Sequence, residues 1–389
     1  MDLRDTPEDA AFRDDVREFL ARELPQDMRA SDDMVLGVGV GEDPRDMAWL
    51  KKLATRGWVA PAWPKEYGGA GLSIMQQFIF NEELARGRAP RPNYLAIGLI
   101  GPTIIVHANE EQKRDYLSGI LSGEVYWCQG FSEPGSGSDL ASLQTRAVED
   151  GDEYVINGQK IWTSGAHRAD RMMLLARTDM DAPKHKGISC FVIDMRAPGV
   201  TVQPLTNMAE TPSFNEVFFD NVRVSKKDLV GELNRGWYVA LTTLAFERSG
   251  IINAMSLRQL LEELVEATRP FRGPNDLSAR YELADRAIEA QVAIMLSHRV
   301  ASLQVKGLMP IQEASITKLY CSELGQRIAR TGMRLAGLYG QLGPDSPYAP
   351  LKGRIERLYR IQVGSTLAGG TSEIQRNIIA QMGLGLPRE

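Results

Sequence analysis

Apolar residues recur every three or four positions from about residue 7 to residue 125, as in Phe12, Val16, Phe19 and Leu20, and this spacing predicts a run of helices. The stretch from Pro61 to Gly71 breaks the run. From Val125 to about Glu232 the pattern shortens to Tyr154-Val155-Ile156, Met172-Met173-Leu174-Leu175, Cys190-Phe191-Val192-Ile193 and Val217-Phe218-Phe219. Gly, Asp and Pro part these apolar runs, so they read as strands. After Gly236 helical spacing returns and lasts almost to the end, interrupted at Arg269-Pro270-Phe271-Arg272-Gly273-Pro274 and at residues 340–347. The pattern predicts an α+β chain, mostly α, without repeats, low-complexity tracts or coiled-coil heptads.

A small-residue turn, Phe131-Ser132-Glu133-Pro134-Gly135-Ser136-Gly137-Ser138-Asp139, follows the bulky run Tyr126-Trp127-Cys128. Glycine and serine let a backbone pass close to a flat or phosphorylated ligand. Such turns are common in ordinary loops, and the turn gains meaning from Asn157-Gly158-Gln159-Lys160-Ile161-Trp162-Thr163-Ser164-Gly165 downstream. Together the two segments resemble the flavin-binding segments of acyl-CoA dehydrogenases. Pro61-Ala62-Trp63-Pro64-Lys65-Glu66-Tyr67-Gly68-Gly69, Phe246-Glu247-Arg248 and Gly369-Gly370-Thr371-Ser372-Glu373-Ile374-Gln375 match the same family in the same order, so the resemblance covers nearly the whole chain. It implies an N-terminal helical domain (1–125), a middle β domain carrying flavin and thioester contacts (126–232), and a C-terminal four-helix bundle carrying the base and the oligomer interface (233–389).

The resemblance implies FAD as cofactor and assigns residues to it. Gln129 through Ser132, Phe131 included, would lie along the isoalloxazine ring, Trp162 would stack near it, and Ser164 beside Thr163 would hydrogen-bond flavin N5. A donor at N5 tunes the atom that accepts the hydride. Thr371 and Glu373 complete the cofactor set, while Ser138 and Arg248 would meet the substrate. The family usually has Thr where Ser132 and Ser164 stand, and the hydroxyl is kept. For Trp162 taken alone, a packed residue at a strand end is the competing reading.

Oxidising a saturated acyl thioester to its trans-2-enoyl form needs a carboxylate to remove the α proton. In most family members it precedes the Gly-Thr of the last motif, and here that position is Gly369. In a minority, including the isovaleryl and long-chain branches, it sits on the helix after the β domain, just before an arginine; here that is Glu247 before Arg248. Trp237, Ala240, Leu241, Leu244 and Ile251 form an apolar stripe at helical spacing, and Glu247 falls on it. A carboxylate aimed inward has a raised pKa, which suits a base; the alternative is a structural ion pair with Arg248 or another arginine. The amide of Gly370 or its neighbour, with a flavin ribityl hydroxyl, would polarise the thioester carbonyl as in the family.

In homotetrameric members FAD also reaches an adjacent subunit, which supplies an Arg-containing Phe-Gly segment and a Gln-rich Gly-Gly loop. The chain departs at both: the first reads Arg269-Pro270-Phe271-Arg272-Gly273, and the second Arg334-Leu335-Ala336-Gly337-Leu338-Tyr339-Gly340, with Arg334 in the glutamine position and Leu338 in a glycine position. The chain is similar to the catalytic subunit of heterotetrameric bacterial dehydrogenases acting on steroid side-chain acyl-CoA. That resemblance implies an α2β2 tetramer in which a homologous partner supplies the cofactor arm, with electron-transfer flavoprotein or a similar acceptor. The competing expectations are a homotetrameric branched- or medium-chain acyl-CoA dehydrogenase, a non-catalytic structural partner, and an oxidase, although oxidases of the superfamily are generally longer. Small residues at Ala96, Gly98, Gly101 and Pro102 leave width for a ring system or let helices pack closely.

Composition narrows the partners. With 389 residues, 43% of them hydrophobic, the chain can bury a large core. The net charge of -5 comes from 45 basic and 50 acidic residues that are well mixed, so no nucleic acid or anionic lipid partner is expected. No run of eighteen apolar residues occurs and the amino terminus lacks a signal core, so no membrane association and a cytoplasmic location are expected. Cys128, Cys190 and Cys321, like the four scattered histidines, lack metal-ligand or disulfide spacing, so no metal is expected.

Overall fold

The computed structural model describes residues 4–29, 44–91, 93–245, 250–273 and 275–387. In chain order it contains α1 (Pro7–Glu23), α2 (Pro44–Ala54), α3 (Ile74–Gly87), α4 (Gly101–His107) and α5 (Glu110–Ser122), then the strands β1 (Trp127–Gly130), β2 (Arg146–Asp150), β3 (Glu153–Lys160), β4 (Arg171–Arg177), β5 (Ile188–Asp194), β6 (Val200–Leu205), β7 (Phe214–Ser225) and β8 (Leu229–Val230). After them come α6 (Gly236–Ala245), α7 (Ile251–Thr268), α8 (Leu277–Val305), α9 (Ile311–Ala336), α10 (Arg354–Ser365) and α11 (Ser372–Ile378). The strand runs expected from the sequence fall in β3, β4, β5 and β7.

The helices and strands sort into two compact units that do not follow chain order. The first gathers α1, α3 and α7 to α11. Its four longest elements after the strands, α7, α8, α9 and α10, pack against one another as a helical bundle. Helix α1 joins this unit because Val16, Phe19 and Leu20 are buried and because Arg13 and Arg17 reach acids on α3. Arg13 bonds Glu82 and Glu83 at 2.6 Å each, and Arg17 Nε bonds Glu83 at 2.9 Å.

The second unit holds α2, α4, α5, α6 and the sheet. The strand order is β6-β7-β3-β2-β4-β5-β8, with β1 off this path and paired parallel to β4. Antiparallel pairing dominates, and a bulge between Ile156 and Gly158 offsets β3 against β7. Strands β4 and β5 are buried along almost their whole length, which explains their continuous apolar runs.

A π-helical segment, Leu95–Ile100, leads into α4 in this unit. At the junction a Cβ on Gly101 would lie 1.9 Å from Trp63 Cζ2, and Trp63 donates its indole N–H to the Ile97 carbonyl at 2.8 Å. The absent side chain of Gly101 is therefore filled by a buried tryptophan, which decides for packing over cavity width at that position.

Candidate active site

Strand β1 delivers the chain into the Gly/Ser turn, and a buried ion pair fixes its start. Lys160, the last residue of β3, is fully buried and donates to Glu133 Oε1 at 2.8 Å and to the Phe131 carbonyl at 3.0 Å. The Glu133 carboxylate also accepts the Gln144 N–H at 2.6 Å and the Thr145 N–H at 2.8 Å. Burial opposes the Glu133 charge, but Lys160 and these amides outweigh it and hold the carboxyl below its ordinary range. Burial pushes the Lys160 ammonium down to about 8.

The rest of the turn is open. Glu133 and Ser136 exchange backbone hydrogen bonds at 2.8 and 3.0 Å, and the Ser136 hydroxyl donates to the Asp139 and Leu140 carbonyls. A Cβ at Gly135 or Gly137 would meet nothing within 4 Å. Ser138 is exposed beside Asp139, whose carboxylate pairs with Lys184 at 2.8 Å. Gln129 and Ser132 are half-buried, whereas the Phe131 ring enters the core with Trp127 and Leu143.

The second predicted segment lies directly against the first. Ile161 donates its N–H to the Ser132 carbonyl at 2.9 Å, which sets Trp162, Thr163 and Ser164 next to the turn. Trp162 takes φ +59, a left-handed backbone that a bulky residue rarely adopts, and its indole is 59% exposed. The indole makes a T-shaped edge contact with Phe214 at 5.9 Å and 89°. Asn215, fully buried, clamps the following residue: the Thr163 N–H donates to its carbonyl at 3.0 Å and its Nδ2 donates to the Thr163 carbonyl at 2.9 Å. Among the described residues the buried Thr163 hydroxyl has no hydrogen-bond partner.

Helix α6 differs from its sequence reading. Val239, Ala240 and Thr243 form its buried face, while Leu241 and Leu244 are 45% and 42% exposed. Ile251 belongs to α7, after Gly250 at φ +64, so it does not extend the α6 stripe. Glu247 and Arg248 lie outside the described residues.

The remaining candidates, Gly370, Thr371 and Glu373, stand in the first unit at the entry to α11. Gly369 and Gly370 take φ +62 and +88, which side chains resist. Gln375 Nε2 donates to the Gly369 carbonyl at 3.1 Å, and Lys318 Nζ donates to the Gly370 carbonyl at 2.6 Å. Among the described residues the Gly370 N–H has no acceptor. Thr371 caps the helix by accepting the Ile374 N–H at 3.2 Å. The exposed Glu373 carboxyl is held below its ordinary value, first by a backbone N–H at the helix start and then by the Thr371 hydroxyl.

In the same unit the two departing segments are occupied internally. Arg272 donates to the Val265 carbonyl at 2.7 Å and the Thr268 carbonyl at 3.2 Å, closing the end of α7. Arg334 forms an ion pair with Glu282 on α8. Phe271 and Tyr339 stack at 5.0 Å, and Leu338 is 82% exposed.

Lys160, Glu133, Asn215, Gln375 and Lys318 were not singled out as site residues from sequence. Only Lys160 carried a local signal: it shares strand parity with the inward residues Tyr154 and Ile156, and a cation at an inward position demands a partner.

Family models for the acyl-CoA dehydrogenase N-terminal, middle and C-terminal domains match residues 6–124, 128–222 and 234–384. The chain belongs to the acyl-CoA dehydrogenase family. Among curated relatives of this family, the chain is 36% identical to acyl-CoA dehydrogenase FadE26 of Mycobacterium tuberculosis, covering 100% of this chain and 99% of the relative. It is 37% identical to acyl-CoA dehydrogenase IpdE1 of the same organism, over 97% of this chain and 98% of the relative. Among solved structures it resembles the Tcur3481-Tcur3483 steroid acyl-CoA dehydrogenase, with TM-score 0.86, 36% identity and complete coverage of both chains. It also resembles the ChsE4-ChsE5 complex from Mycobacterium tuberculosis, with TM-score 0.84, 35% identity and complete coverage of both chains. As a member of this acyl-CoA dehydrogenase family the chain is an oxidoreductase. No helix among the described residues is long and apolar enough to cross a membrane.

Proposed function

We propose that the chain is the catalytic subunit of an FAD-dependent α2β2 dehydrogenase that converts a bulky, steroid side-chain acyl-CoA to the trans-2-enoyl-CoA. The observation that carries the reading is Trp162: a large aromatic face left exposed on a strained backbone, in edge contact with Phe214, between Ile161, whose N–H bonds the Ser132 carbonyl, and Thr163, which Asn215 clamps. Exposure of a rigid indole fits a flat ring laid against it, and the orphaned Thr163 hydroxyl beside it fits a polar ring edge. Bound FAD supplies the acceptor for the β hydride.

The chain's own residues would do the rest. Gln129, Ser132, Trp162 and Ser164 hold and orient the ring, with Phe131 contributing its backbone. Ser138, on the open part of the turn, takes the CoA portion. Glu247 removes the α proton as the β hydride departs, so the Cα–Cβ double bond forms with a proton on the base and two electrons on the acceptor. The backbone N–H of Gly370 or its neighbour donates to the thioester carbonyl, stabilising the enolate-like charge. Leu241 and Leu244, apolar and half-open on the helix that precedes Glu247, offer an apolar wall for the acyl group.

Among the described residues, the two segments expected to meet the adenosine half of the cofactor have their arginines engaged elsewhere. A pyrophosphate needs free cationic donors, yet Arg272 is spent on α7 carbonyls and Arg334 on Glu282. A homologous partner that brings its own arginines supplies that half, in keeping with the two-component names of the steroid enzyme Tcur3481-Tcur3483 and of ChsE4-ChsE5. Electron-transfer flavoprotein or a similar carrier then reoxidises the enzyme.

Turnover of steroid side-chain thioesters against simple medium-chain and branched thioesters tests the substrate. Preference for the simple ones overturns the steroid assignment. Glu247→Gln tests the base: it abolishes product formation while flavin stays bound, and retained activity removes Glu247 from the mechanism.

A further inference from the structure

We infer that Asn215 is the positioning residue that presents Ser164 to the polar edge of the flavin ring, the edge formed by N5 and the C4 carbonyl. The inference rests on the reading that Trp162 and Ser164 meet that ring. Asn215, the second residue of β7, is fully buried and bonds both polar backbone groups of Thr163: its own carbonyl accepts the Thr163 N–H at 3.0 Å, and its Nδ2 donates to the Thr163 carbonyl at 2.9 Å. An antiparallel ladder makes the second of these bonds with a backbone N–H; here a side-chain amide makes it. The Thr163–Ser164 peptide is trans, as are all peptides among the described residues, so a Thr163 carbonyl turned towards Asn215 turns the Ser164 N–H away from it.

Ser164 is half-buried, and among the described residues neither its N–H nor its hydroxyl has a hydrogen-bond partner. Its neighbours on both sides are pinned, Thr163 by Asn215 and Gly165 through its N–H to the Ser213 carbonyl at 3.2 Å. The Trp162 N–H also lacks an acceptor among the described residues, but it belongs to the Ile161–Trp162 peptide, which makes no bond to Asn215, so a change at 215 separates the two donors. The amide of Asn215 has one orientation. The Thr163 carbonyl can only accept, so Nδ2 faces it and Oδ1 turns to His167 Nδ1 at 3.2 Å.

The backbone here needs such a clamp. Trp162 holds φ +59, and a strained backbone persists only where its surroundings over-determine it. The bonds at Thr163 do so immediately after the strained residue. Donors fixed in advance on the edge that takes the hydride orient and polarise it, with no reorganisation left to do as charge moves onto the ring. Leucine at 215 keeps the branching and nearly the size of asparagine, and valine is smaller and suits a strand. Neither can donate to the Thr163 carbonyl, so either frees the Thr163–Ser164 peptide to rotate.

The test uses the flavin-loaded oligomer and two variants, Asn215→Leu and Asn215→Val, each first checked for an unchanged melting temperature and flavin content. Resonance Raman spectra of enzyme carrying FAD isotope-labelled at N5 and at C4 pick out the bands in which those atoms move, and the bands report hydrogen bonding at that edge without reference to activity. In the wild-type enzyme they should be displaced from their places for flavin in an aprotic solvent, and in both variants they should return most of the way. Bands that stay displaced in either folded variant overturn the role of Asn215 and leave the reading of Trp162 and Ser164 standing. Bands undisplaced in the wild-type enzyme overturn that reading and the inference together. Loss of the native melting temperature in both variants marks Asn215 as a residue of the fold alone and overturns the inference; if only one variant fails to fold, the other decides.

Discussion

Lys160 Nζ lies 2.8 Å from Glu133 Oε1, with the lysine fully buried and the glutamate nearly so. The pair joins the end of β3 to the start of the Gly/Ser turn, and the same ammonium holds the Phe131 carbonyl. Removing one member leaves the other buried and uncompensated. Lys160→Met should therefore cost about 3–5 kcal/mol in urea unfolding, and the double variant Lys160→Met, Glu133→Gln should recover part of that loss. A single variant as stable as the wild type would show that the pair is not a clamp.

The junction of the π-helical segment with α4 makes a second prediction. Gly101→Ala places a methyl 1.9 Å from the Trp63 ring, which is buried and hydrogen-bonded to Ile97. Overpacking of this kind should destabilise by about 1–3 kcal/mol and change tryptophan emission. An unaltered unfolding midpoint would reopen the view that Gly101 lines a cavity.

Stability should decline in mild acid because of two histidines. Burial holds both His107 and His298 below their ordinary value of 6.5. The folded state thus sheds protons that the unfolded chain keeps, so stability is full above 6.5 and falls as pH drops towards the folded values. His107 faces Thr242 at 2.8 Å, while His298 stacks on Phe78 at 4.3 Å and is acted on by Glu82, Arg13 and Asp5. Glu83 and Glu133 are held below the carboxylate value of 4.5, so their contribution is lost only at lower pH. Melting temperatures taken between pH 7 and pH 5 should fall, and His107→Gln with His298→Gln should flatten the fall; an equal slope in the variant would contradict this.

Local periodicity carried the order of elements well, because burial of one face repeats along a helix or strand regardless of the partner. It could not report which unit a helix joins. Arg13 and Arg17 find Glu82 and Glu83 some seventy positions away, and no spacing rule within α1 encodes that. The segments at 131–139 and 157–165 stood out by their Gly, Ser and Trp pattern, while the residues that hold them did not, since Asn215 and Lys160 act through partners brought close only by the sheet. The α6 stripe misled for a related reason: Ile251 continues the apolar spacing but opens another helix after a left-handed glycine.

Flavin stoichiometry tests the central claim, half a cofactor site, most directly. The chain should be expressed alone and then together with a homologous partner, and visible flavin absorbance read against protein concentration and oligomer mass. The account predicts little bound flavin for the chain alone and one FAD per pair of unlike subunits, two per α2β2 tetramer, for the complex. A homotetramer of this chain carrying a full complement of FAD would contradict it.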